Sequence, residues 1–157
     1  MGKSDYISWI RSKVGTEKVI LNFAGGCLFR QDGKVLLQQR GDSGLWGFPG
    51  GAMELGESPQ EAAVREVEEE TGLKVEAGEL IGIYIDPDMR YPSGDQAQSI
   101  CMVFMLAFVD GELCVDGKET TALHYFSLEE EPALFCKQHQ ALWEDLRQGN
   151  RGVIRMV

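Results

Sequence analysis

Short apolar blocks, several of them alternating with polar residues, recur along this chain, and turn residues separate them. Residues 19–29 read as a strand broken at Gly25-Gly26, where a bulge or bend is expected. Asp32-Gly33 is a hairpin turn signal, and residues 34–39 return as the next strand. Residues 41–56 form a glycine-rich loop. Residues 80–85 and 99–109 are two more strands. The second is apolar on both faces, which suits a central position, and Asp110-Gly111 ends it. Residues 121–126 are a further strand. A helical period replaces alternation in three places. Residues 4–14 make a short amphipathic helix with Tyr6, Ile7, Ile10 and Val14 on one side, closed by Gly15. A second helix follows the glycine-rich loop. Residues 132–147 form a C-terminal helix, with Leu134, Ala141, Leu142 and Leu146 towards the core. This order implies an α/β fold, with helices on two sides of a mixed sheet.

The second helix has the clearest boundaries. Ser58 is a good N-cap, Pro59 suits the first helical position, and Glu61 sits where a capping box needs it. Gly72 can close the C-terminus in a left-handed conformation. The helix is therefore expected over Pro59–Thr71. Four glutamates crowd into residues 66–70. Glu66, Glu69 and Glu70, spaced i, i+3, i+4, share one face. Ala62 and Ala63 flank that face one turn earlier, small enough to admit a bulky anion. Val64, Val67 and Thr71 lie to the other side, against a sheet, and Glu68 points to solvent. Acidic helix faces are usually solvated surface. Here like charges oppose each other, the helix dipole disfavours anions near the C-terminal end, and only Arg65 compensates within the helix. Clustered hard oxygen ligands suit Mg²⁺ or Mn²⁺, which take few carboxylates and keep waters.

The stretch Gly51 to Leu73 resembles the signature of the Nudix hydrolases, G-x5-E-x7-R-E-U-x-E-E-x-G-U with U apolar. Gly51, Glu57, Arg65, Glu66, Val67, Glu69, Glu70, Gly72 and Leu73 fill every specified position. A chance match is roughly one in a billion per starting point. Trp46-Gly47-Phe48-Pro49-Gly50-Gly51 resembles the usual lead-in, and residues 35–40 resemble the strand before it. The resemblance implies the α/β/α Nudix sandwich and a Mg²⁺-dependent hydrolase that cleaves a pyrophosphate bond in a nucleoside diphosphate linked to another moiety. ADP-ribose, sugar nucleotides, dinucleotides, dinucleoside polyphosphates and (d)NTPs remain open. It implies Glu66, Glu69 and Glu70 as metal ligands, joined by the Gly51 carbonyl. Glu57 and Arg65 are expected to pair and orient those ligands.

A general base must reach the attacking water. Glu69 and Glu66 qualify within the helix, as do Glu54 in the preceding loop and Glu119, with Asp116 beside it, before the last strand. Glu69 is taken as the base. For substrate contacts, Arg40 is placed to hold a phosphate. Residues 86–95 read as a long polar loop of the kind that carries specificity. There Tyr91 could stack on a base, Arg90 could meet phosphate, and Asp95 could bind an amino group or metal. Phe48 and Trp46 are read as packing residues.

At 157 residues the chain is expected to be one domain, with residues 1–17 as an N-terminal helical extension. The four cysteines form no C-x-x-C pair, and the two histidines lie far apart, which argues against zinc. No secretory signal or membrane-length apolar stretch is read, so a soluble cytoplasmic protein with no membrane partner is expected. The net charge of −10 disfavours a nucleic acid polymer and leaves a small nucleotide as the partner. Two alternatives stand beside this reading: a nucleotide-sensing module without turnover, and an RNA 5′-end pyrophosphohydrolase. The residues are silent on oligomeric state, and the resemblance allows a homodimer.

Overall fold

The computed structural model describes residues 5–157. In chain order these form α1 (Tyr6–Val14), β1 (Val19–Leu28), β2 (Val35–Arg40), β3 (Trp46–Gly47), β4 (Gly50–Ala52), α2 (Pro59–Thr71), β5 (Leu73–Arg90), β6 (Gln96–Gly111), β7 (Thr120–Phe126), α3 (Lys137–Gln148) and β8 (Val153–Met156). Five strands make a mixed sheet in the order β4-β1-β6-β5-β8, and β3-β2-β7 make a smaller antiparallel sheet. In the large sheet β1 runs parallel to β6 and β5 parallel to β8, while β5 and β6 pair antiparallel.

Strand alternation sends side chains to two separate cores. Ala24 and Leu28 of β1 and Phe104 and Leu106 of β6 pack with Ala62, Ala63 and Val67 of α2. On the opposite face Cys27, Val103, Ile81 and Tyr84 pack with Leu142, Trp143 and Leu146 of α3. The second sheet joins both, with Leu36 in the first core and Val35 and Leu37 in the second. The result is the expected α/β/α layering. Leu134 and Ala141 also meet the second core, as read from sequence.

Several boundaries differ from the sequence reading. β1 has no break at its glycine pair; its parallel register with β6 runs unbroken from Val19↔Ala97 to Leu28↔Leu106. The glycines serve close approach instead, since a Cβ on Gly25 would strike the Pro49 carbonyl oxygen and one on Gly26 the Leu106 side chain. β5 begins directly after α2 and is far longer than residues 80–85, because repeated register shifts interrupt its alternation. The first half of the expected loop 86–95 is therefore strand, through Arg90. The loop shrinks to a tight turn in which Tyr91 N–H donates to the Asp95 carbonyl at 3.0 Å. α3 starts at Lys137, not residue 132. The backbone at 133–135 is occupied in bonds with Trp46 of β3 (Trp46 N–H to Ala133 O, 2.8 Å; Phe135 N–H to Trp46 O, 2.9 Å). β8 was not expected at all.

α1 is capped by Asp5, whose carboxylate accepts from Ile7 N–H at 2.9 Å, and ends at Gly15. Ser4, where this helix was expected to start, lies outside the described residues. Tyr6, Ile7, Ile10 and Val14 are half-buried, as their spacing predicts. No helix among the described residues is long and apolar enough to cross a membrane. All four cysteines are free thiols.

Candidate active site

Local chemistry fixes α2 where it was expected. Ser58 Oγ accepts from Glu61 N–H at 3.1 Å, Glu61 Oε1 accepts from Ser58 N–H at 3.3 Å, and Gly72 adopts the left-handed conformation at φ 79°. Val67 and Thr71 are buried as predicted. Ala62 and Ala63 do lie one turn before Glu66, but they open onto no space for a ligand. They are fully buried under the sheet, so their small size serves helix–sheet packing and admits no anion.

The three glutamates share one side of α2 but meet different surroundings. Glu70 reaches inward. One of its oxygens accepts from Gly50 N–H at 2.7 Å and the other from the Gln38 amide at 3.0 Å. Gln38 in turn accepts from the Thr120 hydroxyl at 2.8 Å, so α2, β4, β2 and β7 converge on one carboxylate. Burial pushes the Glu70 carboxyl up to about 8. The Gln38 amide and Gly50 N–H oppose this, and the charges of Glu66 and Glu119 reinforce it. A cation beside it would favour the ionised form. Glu66 lies flat against Gly51, where a Cβ would overlap its carboxylate. Glu69 is the outermost and is exposed.

Arg65 ties the cluster together. Its Nε and Nη2 grip Glu57 at 3.0 and 2.6 Å, Nη1 donates to Glu66 at 2.7 Å and reaches Glu69 at 3.4 Å, and Nη2 also donates to the Ala52 carbonyl at 3.0 Å. The bonds to Glu57 first, then those to Glu66, hold Arg65 above its ordinary pKa. The expected Glu57–Arg65 pair is thus present, and it offsets the self-repulsion of the acidic face. Glu57 also accepts from Glu54 N–H at 2.8 Å. The Glu54 carboxylate is turned to the start of α1, accepting Tyr6 N–H at 3.1 and 3.2 Å. That engagement ties the loop before α2 to α1.

A cleft of about 410 Å³ opens over Gly50 and Gly51, the strand against which Glu70 and Glu66 rest. Arg40, Arg90 and Tyr91 line it, as do Phe48, Phe135, Gln138 and His139. A second pocket of about 540 Å³ shares Gln38, Arg40 and Asp42 with the first and adds Glu70, Lys118 and Glu119. Arg40 stands between the two. Its guanidinium lies 4.1 Å from the Phe135 ring centroid, and its fork is held by Asp42 at 3.1 and 2.9 Å. Asp95 does not line the cleft, contrary to expectation. It faces α1, 3.7 Å from Arg11, because the turn is short. Asp116 accepts from the backbone N–H groups of Lys118 and Thr120, the role of a turn residue. Gln38, Thr120, Phe135 and His139 were missed by the sequence reading. A glutamine interrupting an apolar strand was the available signal for Gln38. The others come from segments that only the fold brings together.

Among the described residues no group of three acidic, histidine or cysteine side chains is drawn together closely enough to hold a metal ion as they stand. What is present is a set of hard carboxylate oxygens beside a glycine that leaves them room. That suits a divalent cation which takes few protein ligands and retains waters.

The NUDIX domain pattern matches residues 22–146. The chain belongs to the Nudix family. An ADP-ribose pyrophosphatase of Methanocaldococcus jannaschii is 35% identical over 128 residues, covering 80% of this chain and 72% of that one. A putative 8-oxo-dGTP diphosphatase of Bacillus subtilis is 32% identical over 120 residues, covering 76% and 75%. The crystal structure of an ADP-ribose pyrophosphatase from Streptococcus suis aligns with a TM-score of 0.62 at 27% identity, covering 87% of this chain and 98% of that one. The Nudix chain described here is a nucleotide pyrophosphohydrolase, and its bond class is the pyrophosphate link of nucleoside diphosphate derivatives.

Proposed function

We propose that this Nudix hydrolase cleaves a nucleoside diphosphate joined to a second moiety, with ADP-ribose as the leading substrate. One observation carries the reading: the cleft runs from Gly50 and Gly51, on which Glu70 and Glu66 rest, to an aromatic end, and a second pocket that shares Arg40 reaches Glu70. Such a site has room for a nucleoside on one side of the pyrophosphate and a further group on the other. Similarity to proteins named ADP-ribose pyrophosphatases supports it. The similarity to a putative 8-oxo-dGTP diphosphatase keeps a nucleoside triphosphate as the second reading.

Glu66, Glu69, Glu70 and the Gly51 carbonyl would hold Mg²⁺ or Mn²⁺. When bound, the ion polarises a phosphate oxygen and lowers the pKa of water. The remaining work falls to the chain itself. Arg65, fixed by Glu57, orients the Glu66 and Glu69 carboxylates. Glu69, the exposed member, takes the proton of the attacking water. Arg40 and Arg90 meet phosphate, Tyr91 stacks on the base, and Glu119 borders the distal group. We place the enzyme in the cytoplasm, on the support of its free thiols.

A panel of ADP-ribose, sugar nucleotides, dinucleotides, (d)NTPs and a 5′-triphosphorylated oligonucleotide, each with Mg²⁺ and Mn²⁺, tests this. The expected products from ADP-ribose are AMP and ribose 5-phosphate. Turnover of triphosphates alone would move the substrate class to the second reading. Turnover of nothing would leave a sensing module.

A further inference from the structure

The aromatic end of the cleft holds a histidine that the reading above does not use. His139 lies in the first turn of α3, and its ring packs edge-on against Phe135 (4.7 Å, 78°) and Phe48 (5.4 Å, 67°). Phe48 N–H donates to Nδ1 at 3.0 Å. A nitrogen that accepts carries no proton, so the proton of the neutral ring sits on Nε2. Burial, with Arg40 adding to it, pulls the imidazole down to about 3, so the ring is neutral at working pH. No buried side-chain nitrogen among the described residues lacks a partner, and none of these residues accepts from Nε2. Nε2–H is therefore open, on a residue that lines the cleft. The cleft wall thus carries one oriented neutral donor between two phenyl rings.

That combination discriminates by chemistry. A phosphate would be met better by a cation, and the cleft already offers Arg40 and Arg90 for that. A ribose hydroxyl both donates and accepts, and gains little from flanking rings. A flat heteroaromatic ring with acceptor nitrogens on its edge matches both the donor and its apolar flanks.

We infer that His139 is a specificity-determining residue, whose Nε2–H donates to a ring nitrogen on the edge of an adenine bound in the cleft. This deepens the proposed function and rests on the cleft taking the nucleoside end. Adenine offers N1, N3 and N7, each an acceptor. The interaction acts on affinity and leaves the chemical step alone.

The test is a cycle between a protein change and an atomic change in the ligand. AMP and its 1-deaza, 3-deaza and 7-deaza analogues are titrated calorimetrically against the full chain with Mg²⁺, so that no turnover is needed. One analogue is expected to bind roughly 3–10-fold more weakly than AMP, the effect of one neutral hydrogen bond. In His139→Asn, whose side-chain oxygen can still accept from Phe48 N–H, that penalty is expected to vanish. His139→Phe, which keeps a ring and has no donor, should behave alike. For any hydrolysed adenine nucleotide, both variants should raise KM and keep kcat. The inference is overturned if all three analogues bind as AMP does, if the penalty persists in both variants, or if AMP does not bind. Binding with the predicted coupling but no hydrolysis of any nucleotide would uphold this inference and sink the catalytic reading instead.

Discussion

Two glycines separate what a residue does for the fold from what it does for the site. A Cβ on Gly25 would meet the backbone oxygen of Pro49, which cannot swing aside. Gly25→Ala should therefore cost about 1–3 kcal/mol by overpacking, read as a lowered urea midpoint. The atoms nearest a Cβ on Gly51 are those of the Glu66 carboxylate, the movable end of a side chain. Gly51→Ala should push that side chain aside, leave the melting temperature nearly unchanged, and lower turnover roughly 10–100-fold, the usual cost of misorienting a metal ligand. The reverse pattern would show that Gly51 is structural. The glutamates divide in the same way. Glu69 is exposed, so Glu69→Gln should disturb folding little and cut turnover roughly 10²–10⁴-fold. Glu70→Gln is a poorer probe. Glu70 accepts two hydrogen bonds, and an amide there would set its NH₂ group against one of the two donors, the Gln38 amide or the Gly50 N–H. A wheel projection puts both residues on one face, and their difference is invisible in the sequence because β4 and β2 create it.

Elements were legible where their signals are local. α2 was placed to the residue because its cap, its proline and its closing glycine all lie within or beside it. β5 was cut short because its register shifts break the alternation that marks a strand. β8 has only four residues, and its partner β5 lies some seventy positions earlier, so nothing nearby announces it. The start of α3 was misplaced because β3 claims the backbone before it. α1 was seen as a helix, but its attachments were not legible. Its first N–H, that of Tyr6, rests on Glu54, next to the Glu57–Arg65 pair. From its last turn Arg11 reaches across to the β5–β6 turn, donating to the Gln96 carbonyl at 2.7 Å as well as to Gly15 and Glu17. α1 thus braces the loop before α2 and the turn that carries Tyr91. Arg11→Ala should cost roughly 1.5–3 kcal/mol, the worth of hydrogen bonds to a charged group. It should also raise amide exchange across residues 91–95. Unchanged exchange there would mean that the turn holds itself.

At the scale of the molecule, the large sheet is closed by one buried carboxylate that joins α3, β5 and β8. Asp145, 3% exposed, accepts from Arg155 at 2.8 and 2.7 Å, from the Tyr84 hydroxyl at 2.9 Å and from the Asn150 amide at 2.9 Å. The Arg155 bonds foremost hold its pKa down to about 2, from an ordinary 3.8. A carboxyl depressed on folding stabilises the protein fully above the unfolded value, and that contribution drains away as pH falls through the folded one. Its worth here is roughly 1–2 kcal/mol, because Arg155 is half exposed and its attraction is partly screened. Urea midpoints for the wild type and Asp145→Asn, compared at pH 7, 4 and 2, give the check. The variant should be the weaker at pH 7, since it leaves Arg155 without its partner charge. The gap should hold to about pH 4 and then narrow towards pH 2, as protonation takes from the wild type what the substitution has already removed. A gap that stayed constant down to pH 2 would mean that Asp145 contributes through packing and not through its charge.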